Sequence, residues 1–214
     1  MEAIINGIFP TPIYISKLNR ELTNKELSFI DKNKLDVYKN EGNTTSNDNY
    51  ILNQKAFKDL KTDLDLIVQD YFDKVICPTN NITPYITQSW LNYTEKNQYH
   101  HKHQHPNSLV SGVFYINCDD KFDKIKFFKE DYKTIKPEIK DWNIWNSESW
   151  WFSVKTGDVI LFPSSLNHMV ENKEGTNTRI SLAFNVFIKG TIGVNKKLTE
   201  LILWQLENYL LVQQ

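Results

Sequence analysis

Residues 157–188 read GDVILFPSSLNHMVENKEGTNTRISLAFNVFI, and they decide the fold class. Short apolar segments (DVILFP, HMVEN, TRISLAFNVFI) are separated by turn-forming residues such as Thr156-Gly157-Asp158 and Pro163-Ser164-Ser165, the signature of successive short strands. The same pattern extends back to about residue 84 through YITQSWLNY, HHKHQH, LVSGVFYIN, KIKFF and WWFSVK, with Pro106-Asn107-Ser108 as a further turn. About eight strands over 84–190 predict a mainly β fold, a sandwich or jelly roll with helices packed outside.

The helices are expected on either side of that block. Ile8 to Ile15 reads as an extended strand, held to a sheet margin by Pro10 and Pro12. Thr23 to Lys34 predicts a short helix with Thr23 as N-cap and Glu26 closing a capping box. Residues 39–50 are polar and loop-like. Phe57, Leu60, Leu64, Ile67, Val68, Tyr71 and Val75 follow helical spacing, so 54–76 is expected to be an amphipathic helix facing the core. Leu198, Leu201, Ile202, Leu206, Tyr209 and Leu210 predict a last helix over 196–211, covering the sheet or forming a homodimer interface. The expected organisation is one domain over 1–214: an N-terminal part (1–83), the β core (84–190) and a C-terminal helix (191–214). Residues 119–152 form a poorly patterned insertion in that core, ending in Trp142, Trp145, Trp150 and Trp151.

Composition narrows the function classes. A formal net charge of -1 argues against a general nucleic-acid binder, which would be basic. The first residues lack a basic and then apolar leader, and no stretch reaches the roughly 18–20 apolar residues of a membrane span. Two cysteines, Cys77 and Cys118, make no disulfide framework, so a reducing, cytoplasmic setting is expected. Only two of the 25 basic residues are arginines, Arg20 and Arg179. In so lysine-rich a chain, a retained arginine suggests a need for the planar guanidinium fork, although Arg20 reads as a surface residue.

All five histidines fall at two places, four within His100-His101-Lys102-His103-Gln104-His105 and the fifth at His168. Imidazole is the commonest side-chain metal ligand, so this concentration predicts a metal site. On a strand His101, His103 and His105 share a face, and any i, i+2 pair can chelate one ion. His168, just beyond a buried strand, is the remaining histidine that can close the site.

These motifs resemble those of the iron(II)- and 2-oxoglutarate-dependent oxygenases. The match is to a branch of phage and bacterial members with FPTP, SWxN, HxHPNS, SGVxY, FPSxxxH and RxS in that order. Here they read Phe9-Pro10-Thr11-Pro12, Ser89-Trp90-Leu91-Asn92, His103 to Ser108, Ser111 to Tyr115, Phe162-Pro163-Ser164 with His168, and Arg179-Ile180-Ser181. The resemblance spans residues 7–190 and implies a double-stranded β-helix, the jelly roll of cupin-like proteins. It implies His103, His105 and His168 as the metal ligands, with His101/His103 as the alternative pair. The family's usual set is two histidines and a carboxylate; here His105 stands where the carboxylate is expected. Three neutral imidazoles leave the ion more positive and make zinc or copper competitors for iron.

The resemblance further implies that Arg179, eleven residues after His168, anchors the distal carboxylate of 2-oxoglutarate. Ser181 points the same way along a strand, so fork and hydroxyl can meet one carboxylate. Tyr115 and Asn92 match positions that contact the cosubstrate in the family, and each has an ordinary structural alternative, as a core aromatic and as a strand amide.

The implied activity is a dioxygenase using Fe(II), 2-oxoglutarate and O2, hydroxylating a substrate C–H bond and releasing succinate and CO2. The substrate, small molecule or peptidyl, is left open. Two other readings remain. One is a three-histidine cupin enzyme that does not use 2-oxoglutarate, for which Gly157-Asp158 through His168-Met169-Val170-Glu171-Asn172 is also a fair match. The other is an inactive metal-binding module. Residues 119–152 are a candidate lid over the metal, or a structural loop.

Overall fold

The computed structural model describes residues 1–130 and 135–203. Strand β1 (Tyr14–Lys17) leads into helix α1 (Asn24–Asn33), whose expected capping box is present. Glu26 N donates to Thr23 Oγ1 at 3.3 Å, and Thr23 N donates to the Glu26 carboxylate at 2.7 Å. Arg20 is not a free surface charge: its fork holds both Glu26 oxygens, at 2.8 and 2.9 Å, while its Nε donates to Asp63 at 2.7 Å.

The loop expected at 39–50 contains part of a hairpin, β2 (Val37–Lys39) and β3 (Thr44–Ser46). Its strands have no apolar alternation, because backbone pairing with a neighbouring strand secures them: Thr44 and Thr45 pair with Tyr93 and Asn92. The helix expected over 54–76 is regular only as α2 (Lys58–Tyr71), preceded by single 3-10 turns at Ile51–Asn53 and Lys55–Phe57. A π turn, Phe72–Ile76, widens its end, and Cys77 stops it in a left-handed conformation at φ 45°. The wider turn rotates the apolar stripe, which leaves Val75 exposed while Leu60, Leu64, Val68 and Tyr71 are buried.

The remaining strands are β4 (Ile82–Thr94), β5 (His100–His103), β6 (Val110–Asn117), β7 (Lys124–Phe128) and β8 (Ser149–Ser153). They are followed by β9 (Asp158–Pro163), β10 (His168–Val170), β11 (Arg179–Ile192) and β12 (Leu201–Leu203). The large sheet runs β1-β9-β6-β11-β4-β3-β2, with β12 on the end of β11, and the small sheet runs β5-β10-β7-β8. Together they form the expected double-stranded β-helix.

Strand periodicity splits the interior in two. One face of the large sheet (Leu91, Tyr93, Phe114, Leu161, Leu182, Phe184) packs with α1 and α2 into the main core. The other face turns toward the small sheet, where Tyr115, Ile125, Phe127, Val154, Ile160 and Phe162 form a second core. The insertion is anchored there, because β7 and β8 pair from Lys124↔Ser153 to Phe128↔Ser149.

The C-terminal helix is not found in the part described. Residues Asn195–Lys197 form one 3-10 turn, and Leu201–Leu203 add a strand against Gly190–Ile192 of β11. Gly193 at φ 76° and Leu198 at φ 55° reverse the chain, and the backbone pairing then outweighs the helical spacing of the leucines. Residues 204–211 of the expected helix lie outside the described residues.

Candidate metal and cosubstrate site

Three imidazoles meet in the mouth between the sheets. His103 and His168 are cross-strand partners on β5 and β10, while His105 lies in the turn after β5. His105 N donates to Ser164 O at 3.0 Å, and the Ser164 hydroxyl joins those of Ser111 and Ser108 at 2.9 and 2.7 Å. Backbone and hydroxyls thus knit the PNS, SGV and FPS segments under His105. The three side chains offer ligand atoms within 4.8 Å of one another, and His103 Nε2 lies 3.1 Å from His105 Nε2. Two donors each about 2.1 Å from one ion sit about this far apart.

Each ring is oriented by a carbonyl oxygen. His103 Nδ1 lies 2.8 Å from His101 O, His168 Nδ1 lies 3.0 Å from Leu166 O, and His105 Nδ1 lies 2.7 Å from Asn185 Oδ1. A carbonyl only accepts, so each Nδ1 carries the proton and each Nε2 presents its lone pair inward. Burial, the largest cause, and neighbouring imidazoles lower the pKa of His105 to about 4 and of His168 to about 3; burial also lowers that of His103. All three are therefore neutral, as ligands must be. Trp90 stacks on His105 with ring centroids 5.6 Å apart, and Phe162 packs edge-on to His168 at 4.7 Å.

The sequence-predicted anchor residues line the same pocket. Asn92, Ser181 and Tyr115 lie side by side across β4, β11 and β6, with Arg179 one pleat along, opposite Thr94. Arg179 is 3 % exposed, yet its Nε and Nη1 are buried with no hydrogen-bond partner, and its Nη2 donates only a long bond to Thr94 Oγ1 at 3.4 Å. A buried guanidinium so poorly matched calls for an anion. Tyr115 is fully buried, which pushes its pKa well above the ordinary tyrosine value and keeps the phenol a neutral donor. Asn92 Oδ1 accepts from Thr45 Oγ1 at 3.2 Å and Asn43 Nδ2 at 3.5 Å, so its amide is tied to β3 as well as facing the pocket. The residues present therefore fit both a divalent cation and a dicarboxylate.

Sequence reasoning gives no role to Trp90, which lines the pocket, or to Asn185, which holds His105. Asn185 follows Arg179, Ser181 and Ala183 at two-residue spacing on β11, and Trp90 precedes Asn92 by two on β4, so strand parity marks both. His100, which carries no assignment from the sequence, lines the pocket and stacks on His103 at 4.4 Å. None of Trp142, Trp145, Trp150 and Trp151 lines the pocket; of the described residues of the insertion, only Ile125 does.

Similarity to known proteins agrees with this geometry. A family model described as "Putative 2OG-Fe(II) oxygenase" matches residues 88–185, the segment bearing every residue assigned to the site. No curated protein sequence matches the chain. The structure is similar to HygX from Streptomyces hygroscopicus with nickel and 2-oxoglutarate bound, at 13% identity, 82% of each chain covered and a TM-score of 0.57. It is also similar to a Trichoplax adhaerens prolyl hydroxylase in complex with a hypoxia inducible factor peptide fragment, at 12% identity, 82% of this chain and 83% of that chain covered, and a TM-score of 0.55. A 2OG-Fe(II) oxygenase family oxidoreductase from Burkholderia pseudomallei is similar at 15% identity, covering 76% and 78% of the two chains with a TM-score of 0.51. These likenesses support the fold, and the family match covers the converging imidazoles and the buried arginine.

Proposed function

We propose that this chain is a 2-oxoglutarate-dependent dioxygenase that binds Fe(II) through His103, His105 and His168 and hydroxylates a substrate C–H bond. The observation that carries the reading is the buried, under-bonded Arg179 guanidinium in the same pocket as three converging neutral imidazoles. Iron(II) with 2-oxoglutarate and O2 supplies the oxidising power, yielding succinate and CO2.

The chain's residues supply the rest. The Nδ1 bonds of the three histidines fix their rings, so each would offer Nε2 to an ion, and three protein ligands would leave positions for the cosubstrate. Arg179, with the Ser181 and Tyr115 hydroxyls, forms the anchor for the distal carboxylate. Phe162 and Trp90 screen the imidazoles from water. Beyond Trp90 a groove of about 460 Å³ leads outward between β5 and the β2–β4 margin, lined by Tyr38, Asn40, Gln88, Gln104 and Asn107 among others and, among the described residues, by no charged side chain. We assign it to the substrate, a small molecule or a peptide.

One observation favours a second reading: both converging ligand groups among the described residues are wholly imidazole. A three-histidine cupin chemistry without 2-oxoglutarate fits that set, but leaves Arg179 without a role. Anaerobic titration of the iron-loaded chain with 2-oxoglutarate separates the two. A visible charge-transfer band, followed by succinate on admitting O2, supports the dioxygenase; metal bound with no cosubstrate affinity rejects it. We further read the described residues as one domain working in a reducing, cytoplasmic setting, supported by two free cysteines and by the absence among them of any helix long and apolar enough to cross a membrane.

A further inference from the structure

His103 belongs to two ligand groups. Besides His103–His105–His168, the atoms of His100, His101 and His103 also lie within 4.8 Å of one another. The His103 ring is the hub of the cluster, with centroids 4.4 Å from His100, 4.9 Å from His101, 5.0 Å from His105 and 4.3 Å from His168. Its Nδ1 is held by the His101 carbonyl, which leaves Nε2 as its one free lone pair. One lone pair serves one ion.

A second, independent feature sits at His101. Its Nδ1 is buried without a hydrogen-bond partner, a costly state for a ring nitrogen. The nearest carboxylate oxygen, Glu41 Oε2, is 3.7 Å away. That is too long for a hydrogen bond and close to the spacing, about 3.3–3.5 Å, of two ligands on one tetrahedral ion with bonds of about 2.0–2.1 Å. Glu41 lies in the turn of the β2–β3 hairpin, which is fixed to the start of β5 where Tyr99 N donates to Gly42 O at 3.0 Å. The hairpin thus carries a carboxylate to the outer side of the histidine run.

We propose that His100, His101 and His103, with Glu41 as fourth ligand, form a second divalent-cation site that cannot be filled together with the first. Imidazoles and one carboxylate in tetrahedral reach suit zinc or another borderline divalent metal. Zinc there takes His103 Nε2 from the inner triad, leaving iron only two protein ligands. A redox-inert ion would so displace the reactive one without entering the cosubstrate pocket. This rests on reading His103, His105 and His168 as the first metal site.

The test is cobalt(II) and zinc binding to the full chain, with stoichiometry from equilibrium dialysis and geometry from the cobalt visible spectrum. His105→Ala/His168→Ala, which disables the inner site, is expected to keep one cobalt per chain with the intense spectrum of a tetrahedral ion. Glu41→Gln in that background is expected to weaken cobalt binding by about tenfold or more. Wild type is expected to bind one cobalt tightly, not two, and zinc to displace iron from it more readily than from His100→Ala/His101→Ala. Loss of all cobalt binding in a folded His105→Ala/His168→Ala chain overturns the site; two tight equivalents in wild type overturn exclusivity. If Glu41→Gln has no effect, the His101–Glu41 contact holds no ion and the four-ligand site is rejected. Should the double variant fail to fold, equal zinc displacement in wild type and His100→Ala/His101→Ala rejects the proposal by itself. None of these readouts uses 2-oxoglutarate, so failure here is separate from failure of the oxygenase reading.

Discussion

Asn185 Oδ1 lies 2.7 Å from His105 Nδ1, and this contact leaves Nε2 of His105 to face the other two imidazoles. His103 and His168 are oriented by backbone carbonyls, which no substitution of a side chain removes. His105 depends on a side chain. Asn185→Ala should therefore weaken Fe(II) or Co(II) binding by about 10–100-fold, the usual effect of losing such a partner. Asn185→Asp, which still accepts from Nδ1–H, should restore binding. Metal competition against a chromophoric chelator reads both, and equal affinities for wild type and Asn185→Ala would show that the contact orients nothing.

Arg179 sets function against stability. Its guanidinium is buried with Nε and Nη1 unpartnered, so it stabilises the fold little in the absence of an anion. Arg179→Ala should abolish 2-oxoglutarate binding with metal content nearly unchanged, because its one hydrogen bond is to Thr94 and not to a histidine. Arg179→Leu should unfold at a temperature equal to or above that of wild type, unlike most buried substitutions. Arg179→Lys should recover little affinity, since one ammonium cannot make the paired contact of the fork. Isothermal titration with 2-oxoglutarate and a thermal melt check these; cosubstrate affinity surviving in Arg179→Ala would remove the anchor.

The metal-free chain should lose stability in acid over a defined window. Folding lowers the pKa of His105 from 6.5 to about 4 and of His168 from 6.5 to about 3, by burial first and neighbouring imidazoles second. Below about 6.5 the unfolded chain takes up these protons, while the folded chain refuses them until pH falls to about 4 and then 3. Stability is thus complete above about pH 6.5 and declines as the pH falls through that interval. The urea midpoint of metal-free protein should be flat from about pH 8 to 7 and fall from about 6.5 to 4.5. His168→Gln should flatten part of the fall; a slope unchanged by that variant would place the acid sensitivity elsewhere.

Strand parity makes much of this site legible in the sequence. The i, i+2 histidines and the Arg179-Ser181 pair need only alternate faces to converge, and the antiparallel β4, β11 and β6 set Asn92, Ser181 and Tyr115 in one row. Features held by backbone pairing were not readable in that way. The β2–β3 hairpin is too short and too polar to show an alternating pattern, and β12 carries leucines at helical spacing although it pairs as a strand. Arg20 reads as a surface residue for a different reason: nothing local shows that Asp63, 43 residues away, closes around it with Glu26. Both arginines of the chain prove to be buried or half-buried forks, as the lysine excess had suggested for Arg179.

Gly112 shows what the SGV segment contributes besides ligand support. It pairs across β6–β11 with Phe184, and a Cβ built on it would fall into the Phe184 ring and against a Leu161 methyl. Phe184 and Leu161 are wholly buried in the main core, so neither can swing aside. The glycine is needed here for space, since its φ is not left-handed. Gly112→Ala should cost about 1–3 kcal/mol by overpacking, less a few tenths regained from the stiffer unfolded chain. Gly112→Ala/Phe184→Leu should recover part of that loss, giving a coupling well above the roughly 0.5 kcal/mol scatter of independent sites. Metal stoichiometry should stay at the wild-type value in both, because Gly112 faces the helices while Ser111 and Val113 face the site. Urea unfolding measures the cycle, and a Gly112→Ala chain as stable as wild type would show that β6 and β11 have room between them after all.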